Sequence, residues 1–316
     1  MTKSQKSIIS YYNDFLDWLD IEKGLSSKSQ ENYSRFINKF FDWLKENKLE
    51  KLKPYQLKPE HIFKYKTFLS RQNIPQKNRP LKRSSQDYYL IALRSLLGFF
   101  VDKSIESLPP DKIKLLKSRK ERKINFLSLD QVEKLMEMPD VSTITGLRNR
   151  AILETLFSTG LRVSELVSLD RDQIKIDKNI DDLEIVIIGK GGYPRTVFLS
   201  KRAISWLKKY LESRDDKEKA LFINYKGGKP KSRLTSRSIE RIIKKYVIEA
   251  GLPVITTPHT LRHSFATDLL MKGVDLRIVQ EFLGHKNIAT TQIYTHVTRP
   301  KLKEIHEKFH GMKNES

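Results

Sequence analysis

From Ile8 to Phe100 the apolar residues return at every third or fourth position, a spacing that commits the first third of the chain to packed helices. Ile8, Tyr12, Phe15, Leu16 and Leu19 form one stripe. Tyr33, Phe36, Ile37, Phe40, Phe41 and Leu44 form a second, behind a capping-box-like pair, Ser27 and Gln30. A third helix is expected to begin near Pro59, since proline suits the first helical position, and to carry Ile62, Phe63 and Leu69. A fourth carries Tyr89, Leu93, Leu96, Leu97 and Phe100 behind Ser84. Aromatic residues on one face at the helical period are core material, so these rings are assigned to packing rather than to stacking on nucleic acid. Residues 1–103 read as a small all-helical domain.

The chain has 316 residues, more than one core usually holds, and two domains are expected. After Pro109-Pro110, the stretch from Asp111 to Lys123 holds seven Lys or Arg against two acids and loses apolar periodicity, so residues 104–124 read as a basic linker. It suits a solvated charge run and a tether beside a polyanion equally. A capping-box pattern, Ser128 with Gln131, opens a larger domain at 125–316. In it a helix through Ala151, Ile152, Leu156 and Phe157 ends at Gly160, a glycine suited to a C-cap. Two β-rich runs, 183–188 and 196–199, flank a Gly-Lys-Gly-Gly turn and predict a hairpin. Helices are expected over 201–213, 238–250, 259–272, 275–283 and near 288–294. The fold class is mainly α with a small antiparallel β-sheet in the second domain.

Lys and Arg number 60 against 38 Asp and Glu, a net charge of +22 that solubility alone does not require. The expected partner is a polyanion, and nucleic acid fits it best. An anionic membrane surface is the competing reading, but no run approaches the roughly 18 apolar residues of a span, and the first twenty residues lack an apolar signal core. A cytoplasmic protein without a membrane partner is therefore expected. The chain has no cysteine, which excludes disulfides, thiolate nucleophiles and cysteine-based zinc sites.

The chemistry-bearing residues cluster in the second domain. His259 and Arg262, in Thr-Pro-His-Thr-Leu-Arg-His-Ser, stand three apart and share one face of a helix begun by Pro258, close to its electropositive end. By itself a His-x-x-Arg pair is as easily a helix cap or a surface ion pair. Arg162 follows the glycine-ended helix in Thr-Gly-Leu-Arg-Val-Ser-Glu, Lys190 sits on the hairpin turn, and Leu-Gly-His285 precedes Tyr294 by nine residues. Together they supply the parts for metal-free phosphoryl transfer at a diester. Metal binding by His259, His263 and His285 is the weaker reading, because no carboxylate–histidine ligand spacing accompanies them. His263, one position off the shared face, is assigned a structural role. No metal and no cofactor are expected.

These motifs resemble the tyrosine recombinase family, most closely its Xer-like branch, and the resemblance extends over nearly the whole chain. Glu22-Lys-Gly-Leu-Ser26, Tyr33 and Phe40-Phe-Asp-Trp-Leu44 look like that family's helical core-binding domain. Arg162 matches the family's first arginine, Glu165 the acidic residue after it, Lys190 the hairpin lysine, His259 and Arg262 the His-x-x-Arg box, His285 the next histidine and Tyr294 the nucleophile. The resemblance implies a two-domain, C-shaped clamp around double-stranded DNA that carries a specific recombination site. It also implies a 3′-phosphotyrosyl intermediate, with Arg162, Arg262 and His285 on the phosphate, Lys190 as the acid for the leaving 5′ oxygen, His259 as general base and Glu165 in support.

Residues 225–245 carry eight Lys or Arg and one acid, which is either a solvated surface or a phosphate contact. The DNA reading is preferred for Lys226, Lys229, Lys231, Arg233, Arg237 and Arg241, with the helix through Ser236, Arg237, Glu240 and Arg241 in a groove. Leu302, Ile305 and Phe309 make an apolar stripe in the tail. The stripe suits packing on its own domain, and by resemblance it docks instead on a neighbouring protomer, in a tetramer on two DNA sites or a hetero-assembly with a related recombinase. Chromosome- or plasmid-dimer resolution is the expected role. A mobile-element integrase is the alternative, which the lack of an added arm-binding domain before Ile8 disfavours. A DNA-binding protein without activity is a third, against which the intact motif set argues.

Overall fold

A computed structural model of the chain describes residues 1–74, 79–115, 125–174, 183–189, 194–226 and 229–284. The chain divides into two compact units, Met1–Glu121 and Arg122–Ser316. Their division falls within the stretch that reads as a linker. Among the described residues no helix is long and apolar enough to cross a membrane.

The first unit is built on four helices, α1 (Tyr12–Ile21), α2 (Ser27–Glu46), α3 (Pro59–Arg71) and α4 (Arg83–Asp102), with a short hairpin of β1 (Asn73–Ile74) and β2 (Arg79–Pro80) before the last. The apolar stripes meet in one core, where Phe15, Leu19, Ile37, Phe40, Leu44, Tyr65, Leu69, Leu93, Leu97 and Phe100 are fully buried. The rings pack edge to face, Phe40 against Tyr65 at 5.0 Å and Tyr11 against Phe100 at 5.2 Å, as their quadrupoles favour. Several sequence expectations change here, for Phe63 of the α3 stripe is exposed and α4 begins at Arg83, with Lys82 as its N-cap, ahead of Ser84. The N-cap of α2 is Ser26, and the Gln30 amide donates to Asp20 Oδ1 and to the Leu25 carbonyl, both at 2.7 Å. Gln30 thus clasps the α1–α2 turn instead of closing a capping box. Tyr33 and Phe36, one turn ahead of the buried centre of α2, belong only partly to the core. Phe36 stacks on the exposed Tyr88 at 5.9 Å, and both line an open groove of about 760 Å³ between α2 and α4.

The second unit contains α5 (Leu129–Glu137), α6 (Ile144–Thr159), α7 (Val163–Ser168), β3 (Leu183–Ile188), β4 (Pro194–Leu199), α8 (Lys201–Glu212), β5 (Ile223–Lys226), β6 (Lys229–Arg233), α9 (Ser236–Glu249), α10 (Pro258–Met271) and α11 (Leu276–Leu283). The Ser128 capping box forms as the sequence predicts, with Ser128 Oγ accepting from the Gln131 N–H and Gln131 Oε1 from the Ser128 N–H. The strands β3 and β4 pair antiparallel from Leu183↔Leu199 to Ile188↔Pro194. Strict alternation buries Leu183, Ile185 and Ile187 and turns Glu184, Val186 and Ile188 outward. A second hairpin, β5–β6, stands where the residue pattern suggests only a Gly-Gly turn. The central helix is α6, which packs against α5, α7, α8, α10 and β4 and is buried almost all round. Most of its buried polar residues are paired, the exception being the Thr155 hydroxyl, which has no hydrogen-bond partner among the described residues. Arg148 donates to the Ile223 carbonyl (2.8 Å) and to Asn149, which donates to Tyr246 Oη (2.8 Å). Glu154 accepts from Arg150 (2.9 Å) and Arg202 (2.8 Å). Around this scaffold the ends of α6, α10 and α11 face one another.

Candidate active site

The Thr159–Glu165 segment is a helix end, a tight turn and a helix start. Gly160 caps α6 in the left-handed region, at φ 60° and ψ 24°. Leu161 is buried beneath the turn, and Arg162 is the extended N-cap of α7. Glu165, three residues on, accepts the Arg162 N–H at 2.8 Å. A Cβ at position 160 would lie 2.5 Å from Phe265 Cδ1, so the glycine is required by both conformation and space. Gly160→Ala is expected to cost about 2 kcal/mol, lowering the thermal midpoint of this unit by roughly 4–8 °C in a circular-dichroism melt.

Helix α10 starts at Thr257-Pro258, with Thr257 and Thr260 exchanging hydrogen bonds across the first turn. One turn further, Arg262 is buried at 4% exposure. It donates to the carbonyls of Gly160 and Leu283 through its two Nη atoms. Arg162 reaches the neighbouring carbonyl of Gly284 (3.3 Å) and Glu165 Oε1 (2.8 Å). Arg195 on β4, absent from the site that the sequence motifs define, donates through Nε to the Phe282 carbonyl (3.2 Å) and grips Glu165 through both Nη atoms (3.0 and 2.7 Å). Three consecutive carbonyls at the end of α11 thus each hold a different arginine. Helix C-terminal carbonyls carry partial negative charge, which favours these cations. Three guanidiniums against one carboxylate leave the cluster cationic.

Burial works to raise the pKa of Glu165, but hydrogen bonds from Arg195 and from the Arg162 backbone and side chain outweigh it and hold the carboxyl at about 2. A depressed carboxyl stabilises the fold above its unfolded value, near 4.5, and loses that contribution as pH falls through about 2. Its worth is about 3 kcal/mol at neutral pH. Glu165→Gln is therefore expected to flatten the dependence of unfolding free energy on pH between about 4.5 and 2, measured by denaturant titration.

His259, the second residue of α10, keeps an exposed edge. The protein around the ring and the positive charges of Arg262 and Arg162 lower its pKa. This favours the neutral imidazole, the form able to accept a proton. Burial, then His259 and Arg262, pushes His263 down to about 4. Lys190, His285, Tyr294 and the tail stripe lie outside the described residues, as does the helix expected near 288–294. Among the described residues no three His, Asp or Glu side chains gather as a metal-binding group would.

The basic stretch at 225–245 divides. Arg233 spends its guanidinium on the fold, donating to the carbonyls of Val167 (2.7 Å) and Leu169 (2.8 Å) and pairing with Asp170. Arg237 and Arg241 are exposed on α9, Arg237 beside Glu240 at 3.2 Å. Lys226, Lys229 and Lys231 lie on β5 and β6, with side chains outside the described set. Arg195 did carry a sequence signal. It is the third member of the inward series Leu199, Val197, Arg195, and an arginine at such a position requires a buried anion.

The phage integrase family model matches residues 125–300, and that of the phage integrase N-terminal SAM-like domain matches residues 12–104. Tyrosine recombinase XerD of Oceanobacillus iheyensis is 41% identical over 235 residues, which cover 70% of this chain and 74% of that one. Tyrosine recombinase XerD of Lacticaseibacillus casei is 36% identical over 304 residues, covering 94% and 97%. Among solved structures, the XerH site-specific recombinase bound to palindromic difH substrate in a post-cleavage complex matches with a TM-score of 0.69 at 25% identity, covering 97% of this chain and 90% of that one. A lambda integrase dimer bound to a core site shares the fold with a TM-score of 0.66 at 17% identity, covering 91% and 77%.

Proposed function

The chain belongs to the phage integrase family and is a site-specific tyrosine recombinase of the Xer-like branch acting on DNA, and from that premise we propose that Arg162, Lys190, His259, Arg262, His285 and Tyr294 carry the reaction, with Glu165 in support. The observation that supports this most is the anchoring of Arg162 and Arg262 to adjacent carbonyls at the end of α11, which sets two guanidinium forks side by side. That cradle suits the non-bridging oxygens of a phosphodiester, where charge accumulates as phosphorus becomes five-coordinate.

In the proposed reaction the Tyr294 oxygen attacks the scissile phosphorus and its proton passes to the neutral His259. The phosphorus–O5′ bond breaks, and Lys190 protonates the departing 5′ oxygen. His285 adds a hydrogen bond to the phosphate. The 3′-phosphotyrosyl bond retains the energy of the diester, and a 5′ hydroxyl of the exchanging strand reverses the step with release of the tyrosine. Residues 1–103 serve as the core-binding domain, 104–124 as the linker and 125–316 as the catalytic domain.

The XerD-named relatives support resolution of chromosome or plasmid dimers in the cytoplasm over mobile-element integration. A XerC-named relative, 39% identical over 244 residues in Pelobacter propionicus, is compatible with a hetero-assembly as well as a homotetramer on two sites, with the stripe at Leu302, Ile305 and Phe309 docking on the next protomer. Lys226, Lys229, Lys231, Arg237 and Arg241 are proposed to hold DNA phosphates, and Arg233 to support the hairpin that presents the lysines.

A nicked duplex carrying a site selected by binding to this chain tests the function directly. The expected result is a covalent protein–DNA adduct that survives denaturation; its absence on a tightly bound site overturns the reading. The double variant Lys229→Ala, Lys231→Ala is expected to reduce the slope of log affinity against log salt by roughly two, because each phosphate that a lysine neutralises contributes about one. An unchanged slope removes both lysines from the interface.

A further inference from the structure

The Glu165 carboxylate accepts hydrogen bonds from two arginines, and one of them plays no part in the proposed reaction. Arg195 gives Glu165 a two-pronged grip at 3.0 and 2.7 Å, while the Arg162 N–H and Nη1 supply two further bonds at 2.8 Å each. Glu165 is buried and Arg195 nearly so, their side chains 6% and 10% exposed. The same guanidinium donates to the Phe282 carbonyl, and its Cδ lies 2.7 Å from where a Cβ on Gly284 would sit. Arg195 therefore ties β4, the strand that comes after Lys190 in the chain, to the Glu165 carboxylate held by Arg162 and to the end of α11, which comes just before His285 in the chain.

We infer that Arg195 is a positioning residue for strand cleavage, sharing the charge of Glu165 so that the Arg162 fork stays on Gly284 and remains available to the scissile phosphate. The inference rests on the reading of Arg162 as a phosphate clamp. Without Arg195, both carboxylate oxygens turn to their one remaining guanidinium, because a buried carboxylate takes the nearest cation. Arg162 is then drawn from the Gly284 carbonyl and largely neutralised. The defect falls on stabilisation of transition-state charge rather than on DNA affinity. Lysine cannot replace Arg195, since an ammonium presents neither the fork to Glu165 nor a third donor in plane to Phe282.

The test compares single-turnover adduct formation on two nicked duplexes, one with the natural scissile phosphodiester and one with a methylphosphonate there, whose methyl group removes the non-bridging charge. Arg195→Ala is expected to cleave the phosphodiester about 100-fold more slowly while binding it within about threefold of the unsubstituted chain. On methylphosphonate the deficit is expected to shrink below about tenfold. Arg195→Lys is expected to resemble Arg195→Ala. Undiminished cleavage by Arg195→Ala overturns the inference, as does an equal deficit on both duplexes or the loss of a native thermal transition in both variants. Arg162→Ala separates the clamp from its support. If its own deficit does not shrink on methylphosphonate, the clamp reading of Arg162 fails and the inference with it. If that deficit shrinks and the Arg195→Ala deficit does not, only the role of Arg195 falls.

Discussion

Tyr294→Phe is expected to form no covalent adduct on a nicked substrate while binding the same DNA with unaltered affinity. The phenylalanine ring keeps the shape and apolar surface of the tyrosine and loses only the oxygen proposed to attack phosphorus. No cysteine exists to substitute as a nucleophile, and water attack would release a 3′-phosphate rather than a protein-bound strand. The phenol is a weak nucleophile at its ordinary pKa of about 10, so its activity depends on a neutral base and on neighbouring cations. In the proposed reaction His259, whose pKa is lowered by burial and by Arg262 and Arg162, is the base, and the two arginines supply the charge. Denaturing gels and mobility-shift titrations separate the two readouts. Adducts that persist in Tyr294→Phe would mean another side chain is the nucleophile.

Arg262→Ala is expected to slow adduct formation by roughly 10³-fold or more, at the upper end of what one preorganised donor contributes, and to destabilise the fold as well. The two effects share a cause. The guanidinium is buried and holds the Gly160 and Leu283 carbonyls, so its removal orphans two acceptors that have exchanged water for arginine. Each orphaned acceptor costs about 1–3 kcal/mol. Arg262→Lys keeps the charge but cannot span both carbonyls, and is expected to recover stability only in part and cleavage hardly at all. Thermal unfolding beside single-turnover cleavage checks both. A variant that melts early yet cleaves at the normal rate would restrict Arg262 to a structural role.

The sequence was legible where one physical rule acts alone. The helical period places α1 to α4, proline at a first turn places the starts of α3 and α10, and a terminal glycine places the end of α6. Arg162, Glu165, His259 and Arg262 are legible as a set through the family resemblance rather than through spacing alone, and the structure gathers them at the ends of α6, α10 and α11. It was less legible where two rules compete. Gln30 has the right offset for a capping box, but its amide finds stronger use bracing α1 against α2. The segment Lys-Pro-Lys-Ser-Arg lacks the alternation of a strand, yet forms β6 because its neighbour Leu234 anchors it in the core and Arg233 pins it to Asp170. Arg233 and Arg195 both illustrate how a charge count misleads in a strongly basic chain. Arg233, which the sequence assigns to DNA, and Arg195, which the motifs pass over, are each claimed by an acid distant in sequence, and only tertiary structure brings that acid within reach.

The end of α11 gives this arrangement a cooperative character. Phe282, Leu283 and Gly284 offer their carbonyls to Arg195, Arg262 and Arg162 in turn, so one helical turn is the common mooring for cations delivered by a strand, a buried helix and a loop. Fraying of that turn would cast off all three together, and its re-formation would gather them together. The three moorings thus share one local stability, and a disturbance at the boundary of α11 is expected to reach all of the proposed phosphate site at once.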